Sequence, residues 1–424
     1  MQQTSSIYKL LTILTAFGLV LIMTSCGTKL PTVSTLSPLE QLTADINYLA
    51  SEELEGRETG TKGEQLAAAY IAERFENIGL EAAGDHGTWY QTFTGTQLPH
   101  PHARAEEGKE ITGINVVGYI DNKAPYTVVV GAHYDHIGWG EKNSLYTGDS
   151  LAIHYGADDN ASGVAMMLYL ASRLSAGIHT SNNYIFIAFS GEEKGLWGSG
   201  YWTKNPTVGE IENLNYMLNF DMVGRLNEDR QLMINGTATS SLWERRLPRA
   251  NRSNLDLTFS QSGIGGSDHT SFYLVEVPAI HFFTGLHDDY HRPWDTPDKI
   301  NYSGMLEIGS FALNLIGKLD GEDKLDFSKT QQEESRMAPR FTVTLGVIPD
   351  YMFSGNGLKL EGVTSGNPAE KAGLQRGDII IKLGEIEITD IYDYMQSLSE
   401  FESGDEAELH YRRDGELIET TVKF

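Results

Sequence analysis

The sequence predicts an α/β fold, a mixed, mostly parallel sheet flanked by helices, with a small β-rich domain after it. Three observations lead there. Short apolar runs rich in aromatic and β-branched residues, at 126–130, 184–189, 216–220 and 277–283, alternate with helical patterns, as strands buried on both faces do when crossover helices cover them. A polar stretch at 321–340, carrying Gln331-Gln332-Glu333-Glu334, breaks the pattern and reads as a linker. Beyond it the segments shorten, and Asp414-Gly415 between two short strand patterns marks a hairpin.

A chain of 424 residues exceeds one ordinary domain. Its formal net charge of -26 removes nucleic acid as a partner, because phosphate binding needs a basic face. Cys26 is the only cysteine, which excludes an internal disulfide and a cysteine-rich zinc site. Any metal must therefore use His, Asp and Glu.

At the N-terminus Lys9 precedes an apolar stretch at 10–23, too short to span a bilayer but as long as a signal-peptide core. Thr24-Ser25-Cys26-Gly27 follows and resembles the bacterial lipoprotein box, with Met23 where Leu is usual. The expectation is a signal peptide at 1–25, a lipidated Cys26 and a tether at 26–38. That would place an exported protein on the bacterial cell envelope, at the outer membrane, through a lipid anchor. Residues 39–320 form the larger domain, with helical faces at 65–75 and 162–174 and a closing helix at 299–319.

Polar residues gather where the strands end. The 126–130 run leads into His133-Tyr134-Asp135-His136, 184–189 into Ser190-Gly191-Glu192-Glu193, and 216–220 into Asp221. Gly156-Ala157-Asp158-Asp159-Asn160 opens the helix at 162–174, and Asp288-Asp289-Tyr290-His291 follows 277–283. In a parallel sheet, ligands bind beyond the C-terminal ends of the strands, so these groups should meet on one edge. Neighbouring side chains there point different ways, so one of two adjacent glutamates can bind a metal while the other serves as general base. His136, His154, His281 and His287 are read as structural or pocket-edge residues. The chain has no His-Glu-x-x-His helix, no Gly-x-Ser-x-Gly elbow and no Gly-x-x-x-x-Gly-Lys loop, which argues against serine hydrolase and nucleotide chemistry.

In order, Ala132-His133-Tyr134-Asp135, the Gly156 to Gly163 run, Ser190-Gly191-Glu192-Glu193, Phe220-Asp221 and Tyr290-His291 resemble the motifs of the di-zinc exopeptidases. This family (peptidase clan MH) includes secreted bacterial aminopeptidases and glutamate carboxypeptidase II, and the resemblance covers 49–319. It implies two Zn²⁺ per chain. Asp159, joined to Asn160 by a cis peptide, would bridge both ions; His133 and Asp221 would complete one site, Glu193 and His291 the other. Glu192 would be the general base toward a zinc-bridging water, Asp135 the partner of the His133 ring, and Tyr290 a donor to the oxyanion. His269, in Ser267-Asp268-His269, would be supporting.

The activity implied is that of a zinc-dependent aminopeptidase acting on peptide substrates. The alternatives are a carboxypeptidase or glutaminyl cyclase on the same scaffold, or a non-catalytic peptide-binding protein. A carboxypeptidase needs an arginine fork for the terminal carboxylate, and only Arg225 and Arg292 stand near the motifs. Asp288 or Asp289 is expected near the substrate amine.

The C-terminal domain at 341–424 should hold strands at 341–347, 358–363 and 378–383, helices at 368–372 and 391–401, and a hairpin of 408–412 with 417–422. Its run from Asn367 to Ile380 is similar to the PDZ domains attached to bacterial proteases. That resemblance implies a peptide C-terminus received at Leu345-Gly346-Val347 by strand addition. Because every implied ligand precedes Asp320, the domain is expected to affect recruitment and not the chemical step.

Overall fold

A computed structural model describes residues 36–97, 108–148, 150–330, 343–349, 353, 355–364, 366–389, 391–398 and 400–424. Cys26, the signal-like run and the tether as far as residue 35 lie outside the described residues. Among those described, no helix is long and apolar enough to cross a membrane.

The larger domain is built on a nine-stranded sheet among the described residues. Its strands are β1 (Glu81–Ala82), β2 (Tyr90–Gln97), β3 (Lys109–Ile120), β4 (Thr127–His133), β5 (Asn183–Phe189), β6 (Leu214–Phe220), β7 (Gln231–Asn235), β8 (Asp256–Phe259) and β9 (Ala279–Phe283). They lie in the order β1-β3-β5-β4-β6-β9-β7-β8, with β2 beside β3. The centre, β5-β4-β6-β9, is parallel. The flanks β3 and β7 join it antiparallel.

Period-two alternation along the central strands feeds two apolar layers. Val128, Val130, Phe186 and Leu218 pack with the helices Pro38–Leu49, Lys62–Ile78, Gly163–Leu174 and Tyr302–Leu319. Val129, Ile185, Ile187 and Met217 pack with Trp202 and Phe272 on the other face. With both faces covered, polar side chains concentrate at the strand ends, where the site forms.

Two expectations change. The segment 321–330, read as linker, packs on the larger domain: Leu325 is 3% exposed, and Asp326 accepts from the Ser240 hydroxyl and the Ser241 backbone N–H at the start of the helix Ser241–Ala250. A carboxylate at that N-terminus satisfies an otherwise unpaired donor, which the polar sequence of the segment conceals. Residues 341–342 of the expected first C-terminal strand lie outside the described residues; among those described, 343–346 are not strand and the first strand, β10, is Val347–Pro349. Leu345 is buried in the smaller core, and Gly346 at φ +71 turns the chain before the strand starts.

The smaller domain continues with β11 (Leu358–Val363), β12 (Ile379–Leu383), β13 (Ile386–Glu387), β14 (Glu406–Arg413) and β15 (Glu416–Lys423). All pair antiparallel, in the order β10-β11-β12-β14-β15 with β13 beside β12. Asp414 and Gly415 both have positive φ, 51° and 88°, as the expected two-residue turn requires.

Candidate metal centre and active site

Asp159 stands at the middle of the strand-end cluster. Its Oδ1 lies 3.4 Å from His133 Nε2, which is also 3.3 Å from Asp221 Oδ1. Its Oδ2 lies 3.2 Å from His291 Nε2, which is also 3.3 Å from Glu193 Oε2. One carboxylate therefore faces two imidazole–carboxylate groups, one with each oxygen. The peptide between Asp159 and Asn160 is cis. Asp158 turns away, accepting from the Gly224 backbone N–H at 2.6 Å and facing His287 Nε2 at 3.2 Å.

His136, set aside on sequence grounds, belongs to this cluster. Its Nδ1 is 2.9 Å from Glu193 Oε1 and 3.7 Å from Asp159 Oδ2, and its buried Nε2 has no hydrogen-bond partner. The signal for it was position, three residues after His133 on the same strand-end loop. The ligand atoms of His133, Asp159 and Asp221 all lie within 4.8 Å of one another, as do those of His136, Asp159 and Glu193. Such spacings suit donors that could converge on an ion about 2.0–2.2 Å from each, and mixed His and carboxylate donors suit zinc.

The frame around the cluster comes from remote segments. Arg57 is fully buried and donates to the backbone oxygens of Leu49, Tyr134, Tyr155, Gly156 and Asp159 at 2.6–3.3 Å. It thereby ties the His133 loop to the Asp159 loop. Gly56 precedes it at φ +71, where a Cβ would sit 2.6 Å from the carbonyl oxygens of Gly138 and His154. Asp295 Oδ2 accepts from the backbone N–H groups of Asp158 and Asp159 at 2.8 and 3.0 Å. The Ser267 hydroxyl donates to Asp221 Oδ2 at 2.7 Å and receives the Asn219 amide at 2.7 Å. The buried His269 ring lies 4.9 Å from that of His281, centroid to centroid, tilted by 31°.

Burial opposes charging His133 and His291, yet Asp221 and Glu192 beside the first, and Glu193 and Asp159 beside the second, raise both well above the ordinary imidazole value. Glu192 is driven well above the usual carboxylate range by burial, with His133 opposing and Asp221 and Glu193 adding to the rise. Burial pushes Glu193 the same way, but His291 and His136 hold it well below that range. Two adjacent carboxyls thus have opposite proton affinities, the pattern expected of an acid–base group beside a ligand.

Asp135 sits beneath His133, but the nearer partner of His133 Nδ1 is the Asp135 backbone oxygen at 3.2 Å, with the carboxylate at 3.7 Å. That carboxylate accepts instead from the Glu192 backbone N–H and the Thr59 hydroxyl, linking three loops. Asp288 and Asp289, expected near an amine, are drawn elsewhere: Asp288 pairs with Arg376 of the smaller domain and Asp289 with Arg225 and Lys299. Arg225 also holds Asp295, and Arg292 donates to backbone oxygens, so both arginines are engaged in structure.

A cavity of about 620 Å³ opens on the cluster, lined by His133, Asp159, Glu192, Glu193, Asp221, Tyr290 and His291 among others. The Tyr290 ring lies against that of His291, centroids 4.0 Å apart. Val347, Pro349, Phe353 and Lys359 of the smaller domain line the same cavity. Of the expected peptide-receiving trio only Val347 does so. Leu345 is buried, and the Gly346 N–H already donates to the Thr344 hydroxyl.

Comparison with known proteins agrees with this division. Residues 115–316 match peptidase family M28 and residues 331–424 match the PDZ domain. The chain is 29% identical over 229 residues to aminopeptidase YwaD of Bacillus subtilis, covering 52% of this chain and 47% of that protein. It is 30% identical over 167 residues to the alkaline phosphatase isozyme conversion protein of Escherichia coli, covering 39% and 46%. The chain thus spans about half the length of these curated relatives. Among solved structures, the zinc aminopeptidase BSAP of B. subtilis superposes with a TM-score of 0.51 at 18% identity, over 68% of this chain and 97% of that one. Bacteroides thetaiotaomicron glutaminyl cyclase bound to N-acetylhistamine superposes with a TM-score of 0.53 at 18% identity, over 66% and 97%. At such identities these two show a shared fold. The chain therefore joins a domain with the fold of zinc exopeptidases, whose residues 115–316 match peptidase family M28, to a small β-rich domain in the region 331–424 that matches the PDZ domain.

Proposed function

We propose that the protein is a metallo-exopeptidase, specifically a two-zinc aminopeptidase removing N-terminal residues from peptides. The observation that carries this is the Asp159 carboxylate, each of whose oxygens faces a separate imidazole–carboxylate group. The M28 match and the aminopeptidase relative support it. His133, Asp159 and Asp221 would hold one ion; Asp159, Glu193 and His291 would hold the other, with His136 against Glu193. Zinc, when bound, supplies Lewis acidity toward a carbonyl and toward water.

The residues of the chain do the rest. Glu192, which lines the cavity beside the ligand residue Glu193, takes a proton on its carboxylate from the attacking water and passes it to the leaving amine. Tyr290 donates to the oxygen on which charge develops, worth about 3 kcal/mol in a shielded site. Ser267 and the Asp295 carboxylate hold the acids in place. The acid-rich lining suits a substrate amine, while Arg225 and Arg292 are engaged and cannot fork a terminal carboxylate.

Acetylating the N-terminus of a peptide should abolish cleavage, with products read by mass spectrometry. Release of C-terminal residues from the acetylated peptide would move the protein to the carboxypeptidase alternative. Loss of ammonia from an N-terminal glutamine, without peptide cleavage, would select the glutaminyl cyclase chemistry that the shared fold accommodates. The proposal includes export and lipid anchoring through Cys26, motivated by its position after the apolar run. Membrane fractionation of a Cys26→Ser variant checks it, release being the expected result.

A further inference from the structure

The strand-end loop that carries Glu192 contains a soft joint. Gly191, at φ +73, stands between Glu192 and Ser190, the first residue after β5. A glycine restrains the chain little, so a base placed one residue beyond it needs holding from both sides. After the joint, the Glu192 backbone N–H donates to Asp135 Oδ1 at 3.2 Å. Before it, the Ser190 backbone N–H donates to Asn115 Oδ1 at 3.1 Å, and the Ser190 hydroxyl donates to Glu64 Oε1 at 2.5 Å.

Glu64 lies in the first turn of the helix Lys62–Ile78 and is fully buried. Its Oε2 accepts from the Gly60 backbone N–H at 2.7 Å, just before the helix, a contact that a capping carboxylate can make from the surface. Oε1 does what a cap does not require. It turns inward and accepts from the Ile114 backbone N–H of β3 at 3.0 Å as well as from Ser190. Burial pushes Glu64 up to about 7, with Ser190, Gly60 and Ile114 opposing and Asp135 adding to the rise. Keeping a carboxyl there costs stability that a surface cap would not cost.

The far side of the joint is reached by the same network. The Thr59 hydroxyl is 3.2 Å from that of Ser190 and donates at 2.9 Å to Oδ2 of Asp135, the carboxylate that holds the Glu192 N–H. Ser190, Thr59 and Asp135 are 0–2% exposed, so water does not compete for these bonds. Glu64, Ser190, Thr59 and Asp135 thus form one buried chain that grips the loop before and after Gly191.

We propose that Glu64 is a positioning residue for Glu192, acting through the Ser190 hydroxyl to fix the loop around its glycine joint. This rests on the reading of Glu192 as general base and adds to it the group that keeps the base in place.

The test uses the full-length, zinc-loaded protein and a leucyl peptide. Ser190→Ala removes only the hydroxyl and should lower kcat about 10- to 100-fold with KM and zinc content nearly unchanged, the cost of misplacing a catalytic group by about 1 Å. Glu64→Ala should match that fall and add nothing to it in the double variant. Glu64→Gln, whose amide can still bond the hydroxyl, should keep most of kcat. Ser190→Ala and Glu64→Gln leave the test standing where Glu64→Ala does not fold, with thermal unfolding as the control. In a Glu192→Gln background, Ser190→Ala should change the residual rate less than about twofold, because the group being positioned is gone. Unchanged kcat or lost zinc in Ser190→Ala, a Glu64→Gln variant as slow as Ser190→Ala, additive losses in the double variant, or an equal fall in the Glu192→Gln background would each overturn the proposal. Near-normal turnover by Glu192→Gln alone would instead overturn the reading of the base, so the two failures are told apart.

Discussion

The central strands β4, β5 and β6 are buried along their whole length, whereas burial in β14 of the C-terminal hairpin alternates along the strand. The first sheet is covered by helices on both faces and can place polar groups only at its ends, so they concentrate into one cluster. The second buries one face and leaves the other available, so its polar residues spread out and some reach its neighbour. On the proposed reading the first sheet carries the chemistry and the second only part of the cavity wall, and each half of that division can be broken by experiment.

The largest effect should come from Asp159→Ala, which removes the one group common to both halves of the centre. Loss of bound zinc and a fall in kcat/KM on the order of 10⁴-fold are expected, read by metal analysis and peptide hydrolysis. Retention of two zinc ions per chain would contradict the shared role. Glu192→Gln should keep the metal and lower kcat by about 10²- to 10⁴-fold. Near-normal turnover would reassign the base. His136→Ala should weaken metal binding by about 10- to 100-fold through Glu193, measured by chelator competition. Unchanged affinity would return His136 to a purely structural role.

The smallest effect should follow removal of the smaller domain. A chain ending after Thr330 retains both apolar layers of the larger domain and the packed segment with Leu325 and Asp326. Zinc content and kcat should persist, read by metal analysis and peptide hydrolysis, with only a rise in KM from the lost stretch of cavity wall. Loss of zinc from a folded truncate would show that the second sheet builds the centre as well as its wall.

Much of the larger domain was legible because its central strands are continuous apolar runs and their ends carry a specific run of acids and imidazoles. What escaped has a physical cause in each case. β2, with Thr92, Thr94 and Thr96, and β3, with Gly113 and Gly118, sit toward the margin of the sheet, where the apolar signal thins. Residues 321–330 are polar because Asp326 completes a helix start, a role that composition cannot separate from a linker. The role of Arg57, though not the residue itself, escaped: it acts on carbonyl groups up to 102 residues away, a span that no local pattern reveals. The expectation that the smaller domain serves recruitment alone did not foresee its share in the cavity wall.

If each half of the centre holds an ion, as proposed, the two-faced carboxylate of Asp159 would make the halves a linked pair of binding equilibria. An ion in either half would fix the orientation that the other half needs, while its charge would repel a second cation. Whichever contribution is larger sets the sign of the coupling, and reciprocity requires that each ion feel it equally. Zinc titration would therefore report a property of the pair, with chains filling together or in two separated steps according to that one sign.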